Sequence, residues 1–478
     1  MSQRDSSAAP LEPPRSCDCL IVGGGPAGAT LAGMLAAWGR TSVLVHDGRD
    51  RHGMPEETML PGAARILERC DLTPVFAEHR FFGTERHGVI WEQEEIELSR
   101  REGAERGFKV ERGLFDSALR DWARRQGAIV LDRHRVSNPL PAEGEGTTSI
   151  RREDGESIEI HAHTLVVATG RGRPSSLLDT DVEITGAETV AISRVGTGDP
   201  KYLDASVIEA VAEGWLWWLP LRSGRVCLST FLDGWEYRKV GRDLLESAQG
   251  HAVGPAATHT QGELSFAAKG TPRFLTTPCQ VLLVGDAAST VDPLSSQGIE
   301  KALCSAEAAA CAANTVIEHP ELRARVIEHH TSWERGLWHA HAGQTAAFYG
   351  RQARFGDAPF WRKRRTATAK RTEPVLLPTT LRLHPGLERR AILHRQGRYL
   401  VEEPGFSVPG TPEALSRLGP VPLAPLIEVL TTARDLPETL RGAAQQAQLF
   451  PLSPRSVQEA VEDLFRRGCL NSGEPGSQ

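Results

Sequence analysis

The stretch from Cys17 to Asp47 constrains the fold more than any other part of the sequence. A short apolar run, LIV, is followed by glycines in GxGxxG spacing, by apolar residues at helical spacing and by a second apolar run, SVLV. Glycines in this spacing allow a tight turn, close approach of backbone to a pyrophosphate, and packing of helix on strand. The helix N-terminus adds amide donors and a positive dipole. The pattern predicts a dinucleotide-binding β-α-β unit within an α/β fold.

An acidic residue completes this unit. Asp47 lies 19 residues after Gly28, at the end of the second predicted strand, where an acid binds ribose hydroxyls. We therefore predict that the following residues bind the cofactor: Gly23, Gly25, Pro26, Ala27, Gly28 and Asp47.

Composition narrows the class of protein. The chain has 478 residues, 40% of them hydrophobic and 24% charged, with a net charge of -6. This balance favours neither nucleic acid nor a membrane as the main partner. The polar, Pro-rich residues 1–16 lack the apolar core of a signal peptide and are predicted to be a disordered leader. The eight cysteines show no CxxC or zinc spacing, so we expect reduced thiols, no metal site and a cytoplasmic protein.

Two downstream motifs extend the cofactor site. The apolar run VLLV leads into Gly285-Asp286, and an Ala-rich helix is predicted to begin near Gln297 and Gly298. This resembles the second flavin fingerprint of the hydroxylase-type FAD enzymes. The segments 110–128 and 165–171 resemble that family's Arg-then-helix segment and its strand-ATG turn. The resemblance implies FAD as the cofactor and further binding residues, namely Arg112 for the phosphates, Asp286 for a ribityl hydroxyl, and Gly285, Pro293, Gln297, Gly298 and Ile299.

The tryptophan-rich stretch 214–220, GWLWWLP, resembles the WxWxIP signature of the flavin-dependent halogenases, and so does the loop 292–299. Those enzymes also need a lysine that carries hypochlorous acid. The matching segment here, 85–91, has Arg86 in that place, and no lysine occurs between residues 1 and 108. A guanidinium stays protonated and is a poor nucleophile. We therefore expect hydroxylation rather than halogenation.

The resemblance implies oxygen transfer from a C4a-hydroperoxyflavin to an aromatic ring, with O₂ as co-substrate. Arg86, Trp215, Trp217 and Trp218 are expected on the substrate side, although plain core packing of the tryptophans stays open. Glu56, Glu57 and Asp292 are candidate catalytic acids or bases. Without a second GxGxxG, electrons are expected from transient NAD(P)H or from a separate flavin reductase. A halogenase, an FAD-dependent reductase of an isoprenoid and a non-catalytic FAD-bound adaptor remain alternatives.

The chain also resembles a narrower group, the halogenase-like monooxygenases that hydroxylate tryptophan in a partner polypeptide during tryptophylquinone biogenesis, as in quinohemoprotein amine dehydrogenase. This resemblance rests on two features. The lysine is missing although the WxWxLP sequence is retained, and the chain has an additional C-terminal region. It implies a tryptophan-bearing small subunit as the partner.

The predicted architecture is an FAD-binding Rossmann-like domain of the GR2 type formed by residues 17–175 and 266–365. An antiparallel substrate sheet is predicted over 176–265 and a helical, winged-helix-like region over 366–478. The last predicted helix has balanced charges, which disfavours phosphate contacts and favours a docking or packing role. The basic run 362–371 is interpreted as a solvated helix face or as a patch facing an acidic partner.

Overall fold

The computed structural model describes residues 13–49, 56–81, 83–102, 106–137, 140–172, 174–259, 263–365, 377–409, 414–446, 448–449 and 452–472. The chain divides into two compact units, Met1–Ala369 and Lys370–Gln478. The predicted leader lies outside the described residues up to residue 12. Its last residue, Ser16, already belongs to the first strand.

The first unit contains the following strands: β1 (Ser16–Val22), β2 (Ser42–His46), β3 (Glu57–Met59), β4 (Arg86–Ile90), β5 (Glu97–Arg100), β6 (Phe108–Val110), β7 (Ile129–Asp132), β8 (His134–Val136), β9 (Gly146–Arg152), β10 (Ser157–Val167), β11 (Asp181–Ile184), β12 (Thr189–Gly196), β13 (Ala205–Val211), β14 (Gly214–Pro220), β15 (Val226–Asp233), β16 (Glu263–Gly270), β17 (Arg273–Thr276), β18 (Leu282–Leu283) and β19 (Ser289–Thr290). Its helices are α1 (Pro26–Ala37), α2 (Ala63–Arg69), α3 (Thr73–Glu78), α4 (Arg112–Arg125), α5 (Pro174–Leu177), α6 (Gly234–Val240), α7 (Arg242–Gly250), α8 (Gly298–Glu318), α9 (Arg323–Arg351) and α10 (Pro359–Arg365).

The nucleotide-binding sheet has the order β7-β2-β1-β10-β9-β8, and β18 also pairs with β10. Strands β7, β2, β1, β10 and β18 are parallel, whereas β9 and β8 are antiparallel. The first half of β10 alternates between exposed and buried residues, and its last four residues are all buried. This change follows from the position of β10 in the sheet, because a central parallel strand is covered on both faces.

Helix α1 is buried over its first ten residues and packs against both α4 and α8. Its small side chains make this close approach possible. A Cβ atom at Gly33 would overlap the indole ring of Trp122 on α4. The β-α-β prediction for residues 17–47 is confirmed, with Gly39 at φ +86° just after the helix end.

The second large sheet has the order β16-β12-β15-β14-β13-β4-β5. All its pairs are antiparallel except β13 with β4, which is parallel. The prediction of this sheet over 176–265 is therefore incomplete, because β4 and β5, within the stretch 17–175 predicted for the FAD domain, also belong to it. Pairing across more than a hundred residues decides this membership, and no local pattern reports it.

The basic run 362–371 is described only as far as Arg365, and there it is not a uniformly solvated face. Arg364 on α10 is buried, and its guanidinium pairs with the buried carboxylate of Asp233 at 3.2 Å. Lys363 contacts the same carboxylate at 3.0 Å. Residues 366–371 of this run lie outside the described part of the chain.

The second unit contains β20 (Leu381–Leu383), β21 (Glu388–Gln396), β22 (Tyr399–Ser407), β23 (Arg417–Leu418), β24 (Val421–Pro422), β25 (Leu470–Ser472), α11 (Leu423–Thr432), α12 (Leu436–Gln445) and α13 (Pro454–Arg466). The helical character predicted for this region is confirmed by these three helices, and a hairpin of β21 and β22 accompanies them. The Ser453 side chain caps α13 by accepting from the Ser456 amide, and Gly468 follows the helix end at φ +72°. None of the helices in the described parts of the chain is both long and apolar enough to cross a membrane.

Candidate functional site

The carboxyl ends of β1, β2 and β10 meet at a cavity of about 770 Å³, here called the first cavity. Ligands of open α/β sheets bind at such strand ends. The following predicted cofactor residues line it: Gly23, Gly25, Pro26, Ala27, Asp47, Arg112, Asp286, Pro293, Gly298 and Ile299. Gly28, Gly285 and Gln297 do not. One cavity thus collects motifs that are separated by more than 200 residues in the sequence.

The glycine turn after β1 is shaped to admit a ligand. A Cβ atom at Gly28 would overlap the carbonyl oxygen of Gly23, so this glycine is required by backbone packing. A Cβ atom at Gly25, by contrast, would meet no protein atom within 4 Å. Pro26 begins α1 directly after this open space. A pyrophosphate beside Gly25 would therefore face the N-terminus of α1, which is the arrangement that dinucleotides require.

Arg112 supplies a fixed positive charge to the first cavity. Its guanidinium lies 2.9 Å from Glu57 and 3.2 Å from Asp116, and the side chain is buried. Burial alone would lower the pKa of Arg112, but the carboxylates of Glu57 and Asp116 raise it above its ordinary value. The side chain is thus a permanent cation, oriented by two acids, and it suits the FAD phosphates predicted for it.

The candidate catalytic acids all have structural partners. Glu56 accepts from the Arg222 amide at 3.0 Å and lies 3.3 Å from the Lys109 ammonium. Glu57 pairs with Arg112. Asp292 is buried and accepts hydrogen bonds from the Leu294 amide and the Tyr349 hydroxyl, both at 3.0 Å. Burial raises the pKa of Asp292 despite these bonds. All three acids line the first cavity, and their catalytic roles stay predictions.

The second flavin motif reaches the first cavity through Asp286. Asp286 pairs with Arg171 at 3.0 Å. Burial alone would raise the pKa of Asp286, but Arg171 and then Lys301 bring it below its ordinary value. Lys301 is itself buried, and its ammonium donates to the carbonyl oxygens of Gly285 at 2.8 Å and Ser289 at 2.6 Å. The carboxylate of Asp286 is therefore ionised and available to a hydroxyl donor.

Helix α8 begins at Gly298, as predicted, and Gln297 is its N-cap residue. Gly298 and Ile299, in its first turn, line the first cavity, so the positive end of the helix dipole faces this space. The Gln297 side chain is directed elsewhere. Its Oε1 lies 2.7 Å from Nδ1 of His341, and the residue lines a different cavity.

This second cavity has a volume of about 350 Å³. It shares four lining residues with the first cavity, namely Thr58, Ile208, Trp217 and Ser296. The two spaces therefore adjoin at these four residues, and this boundary is here called the partition. Ser296 adopts left-handed backbone geometry, with φ at +49°, at the point where the chain turns into α8.

The three tryptophans of β14 have three different positions. Trp215 stacks on Phe231 with ring centroids 3.6 Å apart and lines the first cavity. Trp217 belongs to the partition, and its indole N–H donates to Ser206 Oγ at 3.0 Å. Trp218 faces the other side of the sheet, is fully buried and donates to the Tyr202 carbonyl at 3.2 Å. Strand alternation thus places Trp215 and Trp217 near the cavities and Trp218 in a core.

Arg86 is placed differently from our expectation. Its guanidinium binds the Asp204 carboxylate and the Lys201 carbonyl, and it lines neither of the two cavities. The next residue on β4, His87, lines the second cavity. Because side chains alternate along a strand, a shift of one residue exchanges these two positions. Matching segments by sequence alone could not make this distinction.

Further residues near the first cavity escaped the sequence analysis. Arg120 donates to the Gly24 carbonyl at 3.1 Å, beneath the glycine turn. It lies on the same face of α4 as Arg112 and Asp116, at intervals of four residues. That spacing was a usable signal. Lys301 was not predicted either, because a lysine in an Ala-rich helix gives no sign of being buried.

Comparisons with known proteins agree with this geometry. Residues 16–227 match the sequence profile of the family described as FAD binding domain. A digeranylgeranylglycerophospholipid reductase from Thermoplasma volcanium is 25% identical over 317 residues, which cover 63% of this chain and 78% of the relative.

Two solved structures share the fold over nearly the whole chain. CmlS, a flavin-dependent halogenase, superposes with a TM-score of 0.75 at 19% identity, covering 95% of this chain and 96% of CmlS. The peptidyl tryptophan dihydroxylase QhpG, described as essential for tryptophylquinone cofactor biogenesis, gives 0.65 at 24% identity, covering 95% and 99%. The predicted fold class is confirmed. The chain contains an FAD-binding domain and has the fold of these flavin-dependent proteins.

Proposed function

We propose that this protein is an FAD-dependent monooxygenase that hydroxylates an aromatic ring held in the second cavity. The observation that carries the proposal is the partition. At Thr58, Ile208, Trp217 and Ser296, a cavity suited to FAD adjoins a smaller one that can hold a ring. An enzyme of this kind must keep reactive oxygen away from water and hold the ring beside its source.

Bound FAD would supply two-electron activation of O₂, so that one oxygen atom enters a ring C–H bond and the other leaves as water with two protons. The chain would supply binding and orientation. The turn at Gly25 and the Arg112 guanidinium would hold the diphosphate, and Asp47 the ribose. The N-terminus of α8, at Gly298, would stabilise negative charge near it. The electrons would come from NAD(P)H or from a separate flavin reductase.

The second cavity favours hydroxylation over halogenation. Transfer of hypohalous acid through a lysine requires an amine close to the substrate. None of the described residues that line the second cavity is a lysine, and the nitrogen bases there are imidazole and guanidinium groups. Guanidinium groups remain protonated and cannot take the amine's place.

The same cavity disfavours an isoprenoid substrate. Buried polar atoms of Thr84, His87, Arg106 and Thr345 have no hydrogen-bond partner among the described residues, and all four side chains line the second cavity. A purely apolar chain would leave each of these atoms unsatisfied, at a cost of about 1–3 kcal/mol per group. A substrate with polar groups on an aromatic frame fits better.

We further propose that the ring is the indole of a tryptophan in a partner polypeptide, modified during quinone cofactor maturation. The support is the likeness in fold to the peptidyl tryptophan dihydroxylase over 95% of this chain, C-terminal region included. A cavity of about 350 Å³ is of a size to admit one side chain. The C-terminal unit would then serve in docking.

The test uses the full chain loaded with FAD, reduced without air and then mixed with ¹⁸O₂ and a tryptophan-bearing peptide. Mass spectrometry should show one or two labelled oxygen atoms on the tryptophan. A parallel reaction contains chloride and bromide, and another replaces the peptide with an unsaturated isoprenoid.

Halide in the product would overturn hydroxylation in favour of a halogenase. Loss of a double bond from the isoprenoid without O₂ would favour a reductase. Labelled oxygen on a free aromatic compound, with none on any peptide, would support a monooxygenase and contradict the proposal of a polypeptide substrate. If no substrate is changed, the result would favour a non-catalytic, FAD-bound adaptor.

A further inference from the structure

We propose that His87 selects the substrate of the second cavity, because its Nε2 accepts a hydrogen bond from an N–H or O–H group on the aromatic ring. The shared chemistry is an aromatic ring with its own hydrogen-bond donor, as in an indole or a phenol. This inference rests on the proposed function for the presence of a ring in that cavity.

The first support is the position of His87 on β4. Alternation along this strand turns Arg86 to Asp204 at the surface and His87 into the second cavity. The Nε2 atom of His87 is buried and has no hydrogen-bond partner among the described residues. A buried ring nitrogen without a partner is costly, and a ligand that supplies a donor removes that cost.

The second support is the charge state of the imidazole. Burial first, and then the positive charge of Arg101, lower the pKa of His87 below its ordinary value. Backbone oxygens of Arg106 and Thr84 act in the other direction without reversing the shift. A neutral imidazole carries its proton on one ring nitrogen and can accept a hydrogen bond at the other. The acceptor role is assigned to Nε2, the buried ring nitrogen that has no partner among the described residues.

The third support is the character of the cavity around this acceptor. Phe108, Phe348 and Trp217 provide apolar walls that suit a flat ring. None of the described lining residues is an aspartate or a glutamate. The Gln297 carbonyl oxygen is already engaged by His341. His87 is thus well placed to be the principal acceptor for a ring donor, and other ligand groups are left to Thr84, Thr345 and Arg106.

Binding to the full chain, loaded with oxidised FAD and without any reductant, tests the inference. One pair of probes is 3-methylindole and 1,3-dimethylindole, which differ only in the N–H group. A second pair is 4-methylphenol and 4-methylanisole, which differ in the O–H group. Titration calorimetry should show a preference of about fivefold or more for the donor-bearing member of at least one pair. The pair that shows it identifies indole or phenol as the ring.

His87→Leu should reduce this preference to about one, whereas His87→Gln, which keeps an acceptor oxygen, should retain part of it. His259→Leu is the matched control. The pKa of His259 is also lowered by burial, and its Nε2 also lacks a partner, yet this residue lines neither cavity. The preference should survive that change. If His87→Leu does not fold, the comparison of wild type with His87→Gln decides.

Equal binding within both pairs, a preference that persists in His87→Leu, or no binding of any probe would overturn the assignment. These readings do not depend on turnover. If the protein prefers the donor-bearing probes but oxygenates no substrate, the role of His87 stands and the proposed function is wrong. If it oxygenates a ring but shows no such preference, the proposed function stands and the role of His87 is wrong.

Discussion

Ile208 and Trp217 lie directly opposite each other on β13 and β14, and both side chains face the first and the second cavity. Half of the partition is therefore one cross-strand pair. Contacts between directly opposite side chains of this kind stabilise a sheet. Strand pairing therefore fixes the positions of two of the four residues at the boundary between the cavities.

Trp217→Ala should open this boundary. The substrate ring and the oxygen chemistry would no longer be held apart from water, so hydroxylation should fall by about 10²-fold while hydrogen peroxide rises. FAD affinity should stay close to that of the wild type. Product and peroxide per electron pair are the quantities to measure. Trp217→Phe keeps an aromatic wall and should retain most of the coupling. Unchanged coupling in Trp217→Ala would mean that the partition has no part in the reaction.

Two glycine substitutions should have different effects. Gly28→Ala places a methyl group into the Gly23 carbonyl and should prevent stable folding of the first unit. Gly25→Ala meets no protein atom within 4 Å, so the free energy of unfolding should change by less than about 1 kcal/mol. The new methyl group would instead occupy the space beside the pyrophosphate. Urea unfolding and FAD titration of both variants separate these effects. Normal FAD affinity in Gly25→Ala would contradict the placement of the diphosphate.

Arg112→Met should weaken FAD binding by more than about tenfold, because it removes the buried guanidinium that faces the first cavity. Fluorescence titration of the FAD-free protein measures the affinity, and circular dichroism checks the fold. Arg125→Met on the same helix is the control, since this side chain is half exposed and forms an ion pair with Glu78 at 3.7 Å. Equal losses in both variants would show that Arg112 acts through the helix and not on the cofactor.

Arg364→Met should destabilise the first unit by about 3 kcal/mol, because the buried carboxylate of Asp233 loses its buried guanidinium partner and keeps, among the described residues, only the partly exposed Lys363 as a cation. Burial alone would raise the pKa of Asp233, but the bond from Lys363, the Glu236 amide and the charge of Arg364 hold it below its ordinary value. A carboxyl with a lowered pKa stabilises the folded state above its unfolded pKa, and this stability disappears as pH falls through the folded value.

The loss in Arg364→Met should therefore be largest at neutral pH and shrink in acid, as pH falls through the lowered pKa of Asp233. Urea unfolding at each pH measures this loss. Arg362→Met on the same helix is the exposed control and should change little. A deficit that stays constant from neutral to acidic pH would show that the ion pair is not its source.

The sequence alone determined the parts of this protein that depend on neighbouring residues. The glycine turn, the start of α8 at Gly298 and the three C-terminal helices are set by spacing and capping over a few residues, so local patterns predict them. The tertiary structure decided the rest. The sheet to which β4 belongs, the facing of His87 instead of Arg86, the separate positions of Trp217 and Trp218, and the burial of Arg364 all depend on pairing between distant segments. Burial and register are properties of the assembled sheet, and a one-residue shift reverses which side chain enters the cavity.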